Sequence, residues 1–157
     1  MAHHGLRQTY KGLVYTENFI GQIFLLVIRV YWGYLLFRIG LTKLTNIPET
    51  AQFFATLGIP MPGVSAVLAG LIELIGGASL VLGLFSRVMS LILVAHFIIA
   101  CLAAHTEAIV NFFSNPNVFF EAPPFLFFLT SLIVLCFGPG FISFDYWIEK
   151  VKFGKKL

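Results

Sequence analysis

Residues 64–84 read VSAVLAGLIELIGGASLVLGL, a run in which Glu73 is the only charged side chain. A helix of about 20 mostly apolar residues is long enough to cross the hydrocarbon core of a bilayer. In a water-soluble protein, such a helix would have to be covered by other elements on every side. This run therefore predicts a membrane-spanning helix with a single carboxylate near its middle.

The rest of the chain has the same apolar character. Of its 157 residues, 59% are hydrophobic, 11% are charged and 18 are Phe, and the mean hydropathy is +0.92. A soluble domain is about 45–50% apolar and about 25% charged, and a chain of this size buries only part of its apolar surface. The composition excludes a soluble globular domain and a disordered chain, and it predicts contact with a lipid bilayer.

Four segments are apolar enough to span the bilayer, namely residues 19–41, 64–84, 88–104 and 118–137. The last is interrupted near its start by Glu121, Pro123 and Pro124. Pro is tolerated in the first turn of a helix, so the regular helix can begin at these residues.

The sequence after the fourth span predicts a helix end and a new helix. Gly138-Pro139-Gly140 cannot continue a helix. Ser143 can then cap a short helix over 144–153, whose mixture of aromatic and Lys residues suits the membrane surface. We therefore predict an all-α integral membrane protein: one domain over 1–157, forming a four-helix transmembrane bundle with a short C-terminal interfacial helix.

The basic residues predict the orientation. One side of the membrane would hold most of them, and the other side only Lys43; the first group is Arg7, Lys11, Arg87, Lys150, Lys152, Lys155 and Lys156. Since cytoplasmic loops carry the excess of Lys and Arg, we expect a multi-pass protein with both termini in the cytoplasm.

Three polar side chains fall near the middle of their spans: Arg29, Glu73 and His96. At a rise of about 1.5 Å per residue, each lies roughly 13–16 Å from the cytoplasmic end of its span. Charged groups at this depth are costly unless they face the bundle interior and pair. We expect one shared buried site, in which Arg29 pairs with Glu73 and His96 lies close by.

Small residues share helix faces with these charges. Gly33 and Gly40 lie on the face of Arg29 and Lys43, and Gly70 and Gly77 lie on that of Glu73. Because small residues let membrane helices approach closely, these faces are predicted to pack.

A second polar layer is predicted at the outer membrane boundary, formed by Arg38, Lys43, His105, Glu107 and Glu121. Arg38 and Lys43 either snorkel to the headgroups or bind a substrate. His105 and Glu107 either form an interfacial loop pair or bind a metal, which would need more ligands, and Glu121 is the one obvious further ligand. No metal site is predicted.

The central cluster has alternative interpretations. Arg29 and Glu73 either form a structural ion pair or serve a ligand or a proton. His96 is a hydrogen-bonded core residue, a proton or quinone contact, or a metal or haem ligand. The sequence has no glycine-rich phosphate loop, Cys-x-x-Cys pair or nucleophile elbow, and no basic face for nucleic acid.

The sequence resembles the DoxX family of small bacterial membrane proteins. The resemblance covers about residues 25–148 and depends on several blocks: Arg29 with Gly33 and Gly40, Thr42-Lys43-Leu44, Gly58-Ile59-Pro60, Gly70-Leu71-Ile72-Glu73-Leu74-Ile75-Gly76-Gly77, Gly83-Leu84-Phe85-Ser86-Arg87 and Phe137-Gly138-Pro139-Gly140. It implies a four-helix bundle in the bacterial cytoplasmic (inner) membrane. It also implies a relationship to the membrane subunit of thiosulfate:quinone oxidoreductase.

Two functional hypotheses follow. In the first, the protein is a quinone-interacting subunit or partner of a membrane redox complex. Glu73 exchanges a proton, Arg29 tunes the pKa of Glu73, and His96 contacts the quinone. In the second, it is a non-enzymatic scaffold, assembly partner or small transporter with a structural Arg29–Glu73 pair. Quinone is the expected cofactor ahead of haem or metal. The expected partners are lipid, a protein of the complex and a second copy of the chain.

Overall fold

The computed structural model describes residues 2–111 and 113–153, with side chains from residue 19 onward except at 108, 119 and 153. Lys155 and Lys156 belong to the basic residues that predict the orientation, and they lie outside the described residues. In the described part every regular element is an α-helix, which confirms the predicted fold class. The helices are α1 (Ala2–Thr45), α2 (Ile47–Thr56), α3 (Pro62–Leu82), α4 (Ser86–Ala104), α5 (Thr106–Val110), α6 (Pro116–Phe120), α7 (Pro123–Phe137) and α8 (Phe144–Phe153).

Within the described residues, three helices are long and apolar enough to cross a membrane: the Phe19–Thr45 part of α1, α3 and α4. The fourth span differs from the predicted 118–137, because α6 ends at Phe120 and α7 begins at Pro123. Ala122 between them has an extended backbone, since a residue that precedes Pro is disfavoured in the helical conformation. At about 1.5 Å per residue, α7 is about 22 Å long, which is less than the roughly 30 Å of a hydrocarbon core.

The four long helices alternate in direction. Helix α1 packs mainly against α3, and α4 packs mainly against α7. We call the end that contains the α3–α4 turn and residues 138–143 the terminal end, and the end that contains α2, α5 and α6 the loop end. The buried core at the centre consists of Leu36, Leu80, Leu93, Phe97 and Val134.

Glycines set the close contact between α1 and α3. A Cβ atom at Gly40 would lie 2.8 Å from the carbonyl oxygen of Gly70, and one at Gly77 would lie 2.6 Å from that of Gly33. These are backbone atoms, which cannot rotate away. The packing faces predicted from the glycine spacing are therefore confirmed.

Helix α8 is attached to the α3–α4 turn through Asp145. Its carboxylate accepts hydrogen bonds from the backbone N–H groups of Phe85 (2.7 Å) and Ser86 (2.8 Å), and its own N–H donates to Gly83 (2.9 Å). Ser143 Oγ accepts a hydrogen bond from the Tyr146 N–H at 3.2 Å. The predicted helix over 144–153 and its Ser143 cap are confirmed.

Candidate functional site

Glu73 of α3 is the centre of a polar cluster formed by three helices. Its Oε1 atom accepts hydrogen bonds from Nζ of Lys43 on α1 at 2.6 Å and from Nε2 of His96 on α4 at 3.1 Å. The Glu73 residue is only 3% exposed. Its second oxygen, Oε2, is buried and has no hydrogen-bond partner among the residues that the structure describes. One carboxylate oxygen thus receives two donors, and the other receives none.

The glycine contact explains how Lys43 reaches this carboxylate. Gly40 lies directly against the backbone of α3 at Glu73 and Leu74. Lys43 is three residues further along α1, on the same face. Its aliphatic stem can cross apolar surface while the ammonium extends to a polar group. The prediction that Lys43 belongs to an outer layer is therefore wrong, because its charged group pairs with Glu73 inside the bundle.

A cavity of about 580 Å³ adjoins the cluster on the side of the loop end. Its walls are almost entirely apolar, and Lys43, Glu73, His96, His105 and Ser65 are the polar side chains that line it. Small-molecule sites in proteins are typically apolar cavities of about 300–1,000 Å³ with a few convergent polar groups. The apolar lining comes from α1, α2, α3, α4 and α7, and includes Leu36, Phe53, Phe54, Leu68, Ile72, Phe97, Ile99, Ala103 and Phe127.

Arg29 does not pair with Glu73, so that prediction is wrong. The guanidinium is 1% exposed and donates hydrogen bonds to the carbonyl oxygen of Pro139 and, at 2.6 Å, to that of Ile142. Both carbonyls belong to the segment that joins α7 to α8 at the terminal end. Arg29 therefore holds a structural contact there.

The register between α1 and α3 explains this difference. Hydropathy places the start of the first span at residue 19, but α1 is continuous from Ala2. A Cβ atom at Gly33 would meet Leu80 and Gly77, and one at Gly83 would lie 2.7 Å from Nη1 of Arg29. Arg29 is thus level with Gly83, about 15 Å from Glu73 along α3.

The five residues of the predicted outer layer divide between the cavity and the surface. Lys43 and His105 line the cavity. Arg38 is exposed and donates to the hydroxyl of Tyr34 at 3.3 Å, and Glu107 and Glu121 are exposed. Over residues 2–111 and 113–153, no three His, Cys, Asp or Glu residues are grouped so that they could hold a metal ion.

Helix α2 contributes aromatic side chains to the cavity, a role that the sequence did not predict. Phe53 and Phe54 line it, on a helix that has no fully buried residue. The available signal was an apolar pair within a ten-residue helix that starts with Pro at its first turn, between two spans. Such a helix lies between membrane spans without crossing the bilayer itself.

Comparisons with known proteins agree with this architecture. The DoxX family model matches residues 24–106, which include Lys43, Glu73 and His96. The chain is 30% identical over 131 residues to "Putative oxidoreductase CatD" of Bacillus subtilis (strain 168), covering 83% of this chain and 91% of that protein. It is 26% identical over 133 residues to "Inner membrane protein YphA" of Escherichia coli (strain K12), covering 78% and 89%. No solved structure matches.

The matched region contains α2, α3, α4 and the membrane part of α1, apart from its first residues. It therefore includes the glycine-packed pair of helices and all three members of the polar cluster. From the family match and the apolar helices together, the chain is a membrane protein that belongs to the DoxX family.

Proposed function

We propose that this protein is a quinone-interacting subunit, or partner, of a membrane redox complex. The observation that carries the proposal is the buried carboxylate of Glu73, which lies in the wall of an apolar cavity and is paired with Lys43 and His96. Intramembrane ionisable groups mark ligand or proton sites by default, because their burial is costly.

The cavity fits the shape and chemistry of a quinone head. A quinone ring is flat and apolar, with carbonyl oxygens that need hydrogen-bond donors. Phe97 and Phe127, which both line the cavity, are stacked with their ring centroids 5.6 Å apart and planes inclined by 17°. Lys43 has two N–H groups beyond the one that it donates to Glu73, and these are available as donors at the polar wall. Flat walls beside donors are what such a ring requires.

When bound, the quinone would supply the two-electron, two-proton redox chemistry, and the electrons would be exchanged with a redox protein of the complex. The residues of this chain would manage the protons. Glu73 can hold a proton at Oε2, which has no hydrogen-bond partner. Lys43 balances the carboxylate charge, and His96 connects Glu73 to the cavity. The oxidoreductase in the name of CatD supports a redox role.

We further propose the bacterial inner membrane as the location, with both termini in the cytoplasm. The name of YphA, an inner membrane protein, supports the inner membrane as the location. The terminal end carries Arg87, Lys150 and Lys152, and positive charge favours the cytoplasmic side. A cysteine that replaces Lys150 in intact cells should react with an impermeant maleimide only after the membrane is permeabilised. Labelling without permeabilisation would contradict this orientation.

Replacing Glu73 with Gln tests the quinone proposal directly. We expect the wild-type protein, purified in mild detergent, to release about one quinone per chain on solvent extraction and chromatography. Glu73→Gln weakens the hydrogen bonds that hold Lys43 and His96 in place. Since hydrogen bonds to charged groups contribute about 1.5–3 kcal/mol, we expect the affinity for quinone to fall about 10- to 100-fold. Glu107→Gln is the matched control, because Glu107 is exposed.

A second variant and a measurement of thermal unfolding test whether Glu73→Gln loses quinone because it misfolds. Glu73→Gln leaves the Lys43 ammonium without its partner, so the double variant Glu73→Gln/Lys43→Met removes that charge as well. Thermal unfolding is measured for each. Wild-type protein that carries no quinone and binds none on reconstitution would contradict the proposal. It would favour a scaffold, an assembly partner or a small transporter instead.

A further inference from the structure

The cavity is open to the outside of the bundle where its lining residues are exposed, and two of these residues lie on α3 and α4. Leu68 of α3 and Ile99 of α4 both line it, yet they are 55% and 65% exposed. At about 1.5 Å per residue, Leu68 lies about 9 Å along α3 from Pro62, and Ile99 about 7.5 Å along α4 from Ala104. Both helices are membrane-spanning candidates, so the opening lies at the depth of the acyl chains.

The packing of α3 against α4 leaves this opening. The two helices touch near their middles, where a Cβ atom at Gly76 would lie 2.7 Å from the Leu93 side chain. Toward the loop end, the α4 residues that line the cavity include Ala100, Ala103 and Ala104. Small side chains leave space that larger ones would fill.

Helix α2 covers the cavity at the loop end with apolar side chains. Phe53, Phe54 and Leu57 line the cavity from this helix. Phe53 is 55% exposed, so a ligand that entered at the loop end would contact its ring. The exposed lining residues of α3 and α4, Leu68 and Ile99, are both apolar.

We propose that the ligand enters from the bilayer between α3 and α4, and that its hydrocarbon tail remains between Leu68 and Ile99 while its head lies against Lys43, Glu73 and His96. The ligand class is thus a polar-headed molecule with a long apolar tail. This inference rests on the proposed function and adds the route and the tail requirement to it.

The test compares two benzoquinones with the same ring, one bearing a decyl chain and one bearing none. Binding of each radiolabelled quinone to the full chain in lipid nanodiscs is measured after subtraction of empty nanodiscs, which corrects for partitioning into lipid. Leu68→Trp and Ile99→Trp narrow the opening from positions that are already exposed. Leu102→Trp is the control, because Leu102 is on the same helix, 56% exposed, and not among the lining residues.

We expect Leu68→Trp and Ile99→Trp to weaken binding of the decyl quinone about tenfold and to leave the tailless quinone within about twofold of wild type. Leu102→Trp should change neither. The proposal is overturned if both quinones bind and the tryptophan variants affect them equally, or affect neither. If wild-type protein binds neither quinone, the proposed function itself fails.

A labelling measurement on the wild-type protein avoids substitution altogether. A decyl quinone with a photoreactive diazirine at the end of its tail should label peptides of α3 and α4 that contain Leu68 or Ile99. Label confined to α2 would show entry from the loop end and would overturn the proposed route.

Discussion

Replacing Gly40 or Gly77 with Val should unfold the bundle or lower its melting temperature by about 10 °C or more. A Cβ at Gly40 would lie 2.9 Å from the carbonyl carbon of Glu73, and one at Gly77 would lie 2.8 Å from Cα of Phe37. Overpacking typically costs about 1–3 kcal/mol, occasionally more, and here the obstructing atoms are backbone. For a chain of this size, 1 kcal/mol corresponds to roughly 2–4 °C. Thermal unfolding of the purified protein in detergent measures the effect.

Two other glycines provide the controls. A Cβ atom added at Gly21 of α1 or at Gly63 of α3 would have no atom of the described residues within 4 Å, and neither glycine has a positive φ. Gly21→Val and Gly63→Val should therefore remain near the wild-type melting temperature. If Gly40→Val and Gly21→Val have the same melting temperature, the close contact between α1 and α3 is absent from the protein. Separation of these helices would also remove Lys43 from Glu73, so quinone content should fall together with stability.

Sequence periodicity was sufficient to locate the packed faces. The glycines recur at helical spacing beside the charged residues, and this pattern depends only on local geometry. The C-terminal helix was also predictable, because the Gly-Pro-Gly segment, Ser143 and the mixed residues after it are local signals. Pro123 likewise marks the true start of α7.

The partner of Glu73 was not predictable in the same way. Hydropathy gives the position of a residue along its own span, whereas pairing depends on the register between two helices. That register is fixed by the Gly33–Gly77 and Gly40–Gly70 contacts. It places Lys43, and not Arg29, within reach of the carboxylate. The long side chain of Lys43 adds several ångströms that a depth argument based on the backbone omits.

Replacing Arg29 with Met should destabilise the terminal end by about 2–4 kcal/mol. The guanidinium donates partly buried hydrogen bonds to the carbonyl groups of Pro139 and Ile142, and hydrogen bonds to charged groups contribute about 1.5–3 kcal/mol each. Arg29→Lys should recover only part of this loss, since a single ammonium cannot reproduce the planar fork of the guanidinium. Thermal unfolding and the rate of trypsin cleavage at Lys150 and Lys152, which are exposed, measure the two consequences.

Arg38→Met is the matched control, because Arg38 lies on the same helix, is exposed, and donates to Tyr34 of its own helix. It should leave both the melting temperature and the trypsin rate near wild type.

The comparison also separates the two roles considered for Arg29. If Arg29 holds the segment between α7 and α8 in place, Arg29→Met should show faster trypsin cleavage and a lower melting temperature. Quinone should then be lost only as the protein unfolds. If Arg29→Met instead lost quinone while cleavage and melting stayed at wild-type values, Arg29 would act on the ligand, and the separation of about 15 Å between Arg29 and Glu73 along α3 would not describe the working protein.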